Sequence, residues 1–312
     1  MNYESLEYPY YRYQEPFSYE KIIRELKKFK PKITFEVPNH IKKENLKKFK
    51  GSYLFIHEDY MKNLFINSLT DYFTEKQRIR CRYRTKKAPL SVWNDKKSKI
   101  IHFCKKKFKK VNILNLRESI NQFTKTCNNF RITICLAVLN YFKPKRWLDI
   151  SAGWGDRLMS AMLSKHIQYY EASDPNLDLH PGYDKMKNKF TSKKNNYIIH
   201  PTGFLEADLG NRMFDFIFSS PPFFNIEIYS NHEHDSIKNF TTNEKWINDF
   251  LVPSLIKCYD HLSVDGIFIL HIHLEEVVPL IEQHLNNKLE FQGSIYFVET
   301  FARQMYVWKK IA

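Results

Sequence analysis

The stretch Leu148-Asp-Ile-Ser-Ala-Gly-Trp-Gly-Asp-Arg-Leu158 reads as the end of a buried strand, a tight turn through Ser151, Ala152, Gly153, Trp154 and Gly155, and a helix that begins near Arg157. The chain has only eight glycines, so two within three residues mark a backbone that needs them. On either side, short apolar runs alternate with helix-like segments. Residues 146–151, 167–174, 196–201, 214–220, 266–272, 293–299 and 305–310 read as strands, and helices fit 157–165, 181–190, 242–261 and 275–287. Strands alternating with helices predict right-handed crossovers and a mainly parallel, Rossmann-like α/β sheet. The last two strands have no helix between them and are expected to form an antiparallel hairpin at the sheet edge.

In a doubly wound sheet the ligand crevice lies outside the carboxyl ends of the strands. Gly153 and Gly155 would let a ligand approach the backbone there. Asp174, 19 residues beyond Gly155, ends the next strand, where a carboxylate can accept hydrogen bonds from ribose hydroxyls. The third glycine of a dinucleotide fingerprint falls on Leu158, and Asp156 stands where phosphates would sit. An anionic cofactor such as NAD is therefore disfavoured. S-adenosylmethionine (SAM) is cationic at sulfur and carries no phosphate, so Asp149 and Asp156 are tolerable neighbours.

A second signal lies 67 residues after Gly153, where the strand read over 214–220 ends in Ser220-Pro221-Pro222-Phe223. Consecutive prolines fix φ near −65° and remove two amide donors, leaving a stiff loop that presents oxygens to the crevice. That suits the amino group of adenine or cytosine, a poor nucleophile because its lone pair is delocalised into the ring. If the Ser220 oxygen and the Pro221 carbonyl accept its two N–H bonds, the nitrogen can offer its lone pair to a methyl donor. Phe223 would stack on the base, extruded from any duplex.

Among the 312 residues, 43% are hydrophobic and 27% charged, ordinary globular composition with room for a sizeable core. No window approaches the ~18 apolar residues of a membrane span, and the acidic, aromatic start is unlike a secretory signal, so an intracellular protein, cytoplasmic or nuclear, is expected. Five cysteines without a C-x-x-C pair point to reduced thiols. The charge is lopsided: residues 1–146 carry 34 Lys and Arg against 13 Asp and Glu, whereas 147–312 carry 15 against 21. A polycationic half beside an acidic one predicts a grip on nucleic acid.

The chain divides by composition into an N-terminal accessory segment (1–58), a basic nucleic-acid-binding region (59–140) and a catalytic domain (141–312). Helix spacing appears over 19–29, and again from about Asp59 through Leu64, Phe65, Leu69, Tyr72 and Phe73, ending in a basic tail of Arg78, Arg80, Arg82 and Arg84 that Pro89 is expected to break. Lys105, Lys106, Lys107, Lys109 and Lys110 then interleave with Phe103 and Phe108, a pattern that suits a phosphate backbone and stacked bases, or a solvated helix face beside two core rings.

Taken together, LDISAGWGDRL, SDPNLDLHPGYDKM and FDFIFSSPPFFNIEIYS resemble the SAM-dependent amino-methyltransferases of nucleic acids, closest to phage and large-virus DNA methyltransferases, over residues 145–312 and back into SLTDYFTEKQRIRCRYR and APLSVW. The resemblance implies a class I methyltransferase fold and a possible viral origin. It implies SAM held by Asp149, Ser151, Gly153, Gly155 and Asp174, with Glu206 or Asp208 near its adenine, and Ser220, Pro221, Pro222 and Phe223 as the amino-group loop. Adenine-N6 enzymes more often carry Asp or Asn where Ser220 stands, and Ser is common in cytosine-N4 enzymes, so either base is open. With no recognition domain after the loop, any sequence reading falls to the basic half.

The substrate is read as DNA before RNA, with an RNA or mRNA-cap adenosine methyltransferase and a catalytically silent nucleic-acid-binding subunit as rivals. Protein-glutamine and small-molecule substrates fit the basic half poorly. His232-Glu233-His234 and the pair His271 and His273 show no helical ligand spacing, so no metal is expected. Residues 229–242 read as a segment that folds over the target base, and Trp246, Phe250 and Leu251 as helix core.

Overall fold

A computed structural model describes residues 2–13, 17–35, 52–57, 65–222, 227–229, 240–272, 274, 276–297 and 304–311. Phe223, the His232–His234 trio, His273 and most of the 229–242 segment lie outside them.

The strands are β1 (Ile33–Thr34), β2 (Ser52–Ile56), β3 (Arg82–Tyr83), β4 (Arg146–Asp149), β5 (Tyr169–Ser173), β6 (Tyr197–His200), β7 (Phe214–Ser219), β8 (Glu227–Ile228), β9 (Leu262–His271), β10 (Leu289–Phe297) and β11 (Gln304–Lys310). All but β3 and β8 form one sheet in the order β1-β2-β10-β11-β9-β7-β4-β5-β6. The pairs β4/β5, β5/β6, β4/β7 and β7/β9 are parallel, and β11 is antiparallel to both β9 and β10. The chain winds outward from β4 in both directions, so the switch point, with the crevice it creates, lies at the carboxyl ends of β4 and β7.

One expectation is corrected at the far edge. The β10–β11 hairpin is interior, because β2 pairs in parallel with β10 in register Ser294↔Tyr53 and Ile295↔Leu54, and β1 closes the edge antiparallel to β2. The first 58 residues thus contribute two strands to the main sheet. Their role is visible only in three dimensions: the pairing partner of β2 is more than two hundred residues away.

Helices follow the apolar spacing: α1 (Tyr19–Lys28), α2 (Asp71–Arg78), α3 (Pro89–Phe108), α4 (Ile113–Ile120), α5 (Ile132–Phe142), α6 (Asp156–Leu163), α7 (His180–Phe190), α8 (Asn243–Trp246), α9 (Val252–His261) and α10 (Val277–Leu285). A π-helical turn, Ile247–Leu251, joins α8 to α9, and Trp246 and Leu251 are core residues as expected. Pro89 does not break a helix; it opens α3 at the first turn, where its missing N–H costs nothing. The helix expected from Asp59 is shorter, a 3₁₀ turn at Phe65–Ser68 followed by α2.

The largest apolar cluster runs through Ile22, Leu54, Ile66, Leu69 and Cys127 to Trp147, Phe216 and Phe218. The compositional boundaries at 58 and 140 therefore do not interrupt the core. A second cluster underlies the acidic half, and a satellite of Tyr8, Tyr10, Trp93, Ile100 and Leu116 holds α3 and α4. All five cysteines are free and buried. Among the described residues no helix is long and apolar enough to cross a membrane.

The basic region meets the sheet layer tightly where α2 packs on α7. A Cβ added at Gly182 would stand 2.8 Å from the Thr74 methyl and 3.1 Å from the Phe73 carbonyl oxygen. Gly182→Ala should cost about 1–3 kcal/mol by overpacking, read as a lower urea midpoint, with part of the loss recovered when Thr74→Ser removes the methyl.

Candidate active site

Asp149 ends β4 with no solvent exposure. Its Oδ2 accepts from Arg157 Nε at 2.7 Å and from the Tyr170 hydroxyl at 2.8 Å, and its Oδ1 accepts from the Ser151 amide at 3.3 Å. The Arg157 guanidinium also donates to the Ser151 carbonyl. The turn is therefore pinned from below. Gly153 and Gly155 both adopt the left-handed conformation, φ +57° and +88°. At Gly155 a Cβ would press on Met186 at 2.8 Å, whereas at Gly153 it would meet nothing nearer than Arg157 Nη2 at 3.9 Å. Gly155 closes packing against α7; Gly153 leaves room beside the backbone.

Asp174 lies just past the end of β5, 7% exposed, and faces the same turn. Its Oδ2 accepts from the Gly153 amide at 2.9 Å and its Oδ1 from the Asn176 amide at 3.0 Å. Tyr183 on α7 donates to the Gly153 carbonyl, closing a small ring of α7, the turn and Asp174. Burial raises the Asp174 carboxyl to about 6. Asp149, Ser151, Gly153, Gly155 and Asp174 are thus brought together.

Glu206 and Asp208 are exposed and serve their own turns, with Glu206 Oε2 accepting from the Gly203 amide at 3.2 Å and Asp208 Oδ1 from the Gly210 amide at 2.8 Å. The acidic residue best held beside β5 is one that sequence reasoning passed over: Glu171, fully buried, accepts from Arg212 Nε at 2.9 Å and the Tyr169 hydroxyl at 2.8 Å, and its Oε1 lies 2.7 Å from His200 Nε2.

Asp156, first residue of α6, points away from the crevice toward the basic region. Thr70 Oγ1 donates to its Oδ1 at 2.6 Å, and the Phe130 amide to its Oδ2 at 3.3 Å. Thr74 Oγ1 donates to the Trp154 carbonyl at 2.8 Å. Around them Arg78 and Arg117 engage Asp71 and Glu75 in a buried ionic cluster. The basic half therefore braces the glycine turn directly, a contact for which the sequence held no periodic signal.

Ser220 follows β7 at the carboxyl edge. Its carbonyl accepts from Ser151 Oγ at 3.0 Å, tying the diproline loop to the glycine turn. Its hydroxyl lies 3.2 Å from Nδ1 of His271, the last residue of β9. Parallel register brings them together: Ser219 pairs with Leu270, so the next residue on each strand is a neighbour. Sequence reading weighed His271 only as a metal ligand. Its position at the end of the strand beside β7 was the available signal. Among the described residues no group of three His, Cys, Asp or Glu is placed to hold a metal.

The strand leaving the loop, β8, pairs antiparallel with β3 in register Arg82↔Ile228 and Tyr83↔Glu227. Arg82 therefore sits on a short ribbon paired with the chain segment that follows Pro222, with Arg80 and Arg84 in the turns that flank it, and all three are exposed. Cys81 Sγ donates to the Tyr229 carbonyl at 2.7 Å, and the Tyr229 ring packs on Trp154 of the glycine turn at 5.7 Å. Lys105, Lys106, Lys107, Lys109 and Lys110 are exposed at the other end of α3, while Phe103 and Phe108 are half-buried.

No protein-family model matches the chain, and no curated protein does. Several solved methyltransferases resemble it distantly. TrmN from Thermus thermophilus is 13% identical at a TM-score of 0.41, over 58% of this chain and 49% of its own, so this chain spans about half the length of TrmN. A methyltransferase from Pyrococcus furiosus is 17% identical at 0.41, over 59% and 84%. An rRNA methylase from Streptococcus thermophilus is 10% identical at 0.40, over 60% and 99%. The sheet itself, parallel strands wound outward from β4 with an antiparallel β11 inserted beside β9, is the class I methyltransferase arrangement expected from the motifs. The chemistry of the site rests on its own residues.

Burial raises the Asp156 carboxyl to about 7 from an ordinary 3.8. Between those values the folded chain holds a proton that the unfolded chain releases, so this group's contribution to stability falls as pH rises toward 7. The stability difference between the wild type and Asp156→Asn, from urea unfolding, should therefore shift in favour of the wild type as pH drops from 8 to 5. A difference that stays constant with pH would contradict the burial of this carboxyl.

Proposed function

We propose that the chain is a SAM-dependent methyltransferase acting on an exocyclic amino nitrogen of a nucleic-acid base, adenine N6 or cytosine N4, with DNA favoured. The observation that carries this reading is the junction of Ser151 and Ser220, which sets the diproline loop against the glycine turn. The residues present fit the cofactor. Two buried carboxylates, Asp149 and Asp174, accept from the amides of the turn, an arrangement unsuited to a pyrophosphate and compatible with a sulfonium. The backbone beside Gly153 is open, and Asp174 is a buried acceptor suited to ribose hydroxyls. Glu206 and Asp208 are candidates for the adenine contact.

When bound, SAM supplies an electrophilic methyl group. The chain supplies the rest. The Ser220 carbonyl is engaged by Ser151, which leaves the Ser220 hydroxyl and the Pro221 carbonyl as acceptors for the two N–H bonds of the target. Pro221 and Pro222 hold both oxygens on a backbone of little freedom, and Phe223 is assigned the stacking role. Arg80, Arg82 and Arg84 give this site a positive approach for a phosphate backbone beside the target base, and the lysines at the end of α3 extend it. DNA is favoured by the likeness of all three motifs to phage and large-virus DNA methyltransferases.

Incubation with labelled SAM and matched DNA and RNA oligomers, followed by digestion to nucleosides, should yield N6-methyladenine or N4-methylcytosine in DNA. Label in RNA alone would replace the DNA assignment, and label in neither would reject the activity. Ser220→Ala should lower turnover by on the order of 10²-fold with SAM binding kept. Replacing Arg80, Arg82 and Arg84 with Gln should weaken oligomer binding and flatten its dependence on salt by up to ~0.9 in log–log slope per lost phosphate contact; an unchanged slope would remove the ribbon from the interface.

A further inference from the structure

We propose that His271 is a positioning residue that fixes the hydroxyl of Ser220 as an acceptor for the target amino group, an inference that rests on the proposed role of the diproline loop. A serine hydroxyl in that loop has a defect that the Asp or Asn of related loops lacks: it carries a proton. Pointed at the target nitrogen, that proton would engage the lone pair on which methyl transfer depends. The proton needs an acceptor other than the target nitrogen, and His271 Nδ1, 3.2 Å from Ser220 Oγ, is placed to be that acceptor. With Nδ1 unprotonated, Ser220 donates to His271 and keeps its lone pairs for the substrate N–H.

The ring is held for this task. His271 is 9% exposed, and Phe130 meets it edge to face at 5.3 Å and 80°. Phe130 is itself fixed, by its amide on Asp156 at 3.3 Å and by the Arg157 guanidinium 5.7 Å from its ring centre. Phe297 at the end of β10 flanks the imidazole at 6.2 Å. The register of β7 against β9 sets the pair before any side chain chooses a rotamer.

The test compares kcat, SAM affinity and thermal melting in the full-length wild type, Ser220→Ala, His271→Phe, His271→Asn and the Ser220→Ala/His271→Phe double variant, on the oligomer that accepts methyl. His271→Phe keeps a ring against Phe130 and Phe297 but removes the acceptor, and should lower kcat about tenfold, the worth of one oriented hydrogen bond, with SAM affinity unchanged. His271→Asn, whose Oδ1 can take the place of Nδ1, should recover most of the loss. In the Ser220→Ala background His271→Phe should have no further effect on kcat. Equal losses in both backgrounds, or no recovery in the Asn variant, would overturn the proposal and leave the role of Ser220 intact. Wild-type turnover in Ser220→Ala would instead reject the loop reading itself.

Discussion

A single guanidinium holds the site in shape. Arg157 reaches back from the first turn of α6 to the fully buried Asp149 at the end of β4, donates to the Ser151 carbonyl on the way, and lays its face near the Phe130 ring. Strand, turn, helix and the basic layer meet at this one group. Neither charge has solvent to turn to, so removing one partner would leave the other uncompensated at a cost of roughly 3–5 kcal/mol. The two left-handed glycines and the carbonyl of Ser220 take their positions from a turn that this pair keeps closed.

The basic half has two structural vocabularies. Arg78 and Arg117 turn inward, to Asp71 and Glu75, in a cluster that lies under the glycine turn. Arg82 on β3, and Arg80 and Arg84 in the turns beside it, are exposed. The change occurs within two residues, where α2 gives way to the turn that leads into β3. Counting charges shows that this half is cationic, but only the fold separates the cations that hold the protein together from those free to meet a polyanion.

The half of the chain from β4 onward was legible because its signals are local. Apolar runs and their spacing placed β4 to β7 and the helices after them, and the paired glycines and prolines marked backbone conformations that few other residues allow. What escaped was set by long-range register. β2 joins β10, and β3 joins β8, through backbone hydrogen bonds that any side chains permit. His271 reaches Ser220 because two distant strands end level with one another. Thr70, Thr74 and Asn129 are ordinary polar residues in sequence and become braces only when α2 lies beneath the turn.

The seam between β2 and β10 gives the chain an unusual order of assembly. The other pairings in the sheet join strands far nearer to one another in the chain, whereas this one waits for two segments more than two hundred residues apart to meet. Closing so long a loop is slow compared with forming local pairs. During synthesis, then, β2 is made long before its partner and is among the last strands to find its place, and until it does the outer side of β10 stands as an open edge able to pair with other chains.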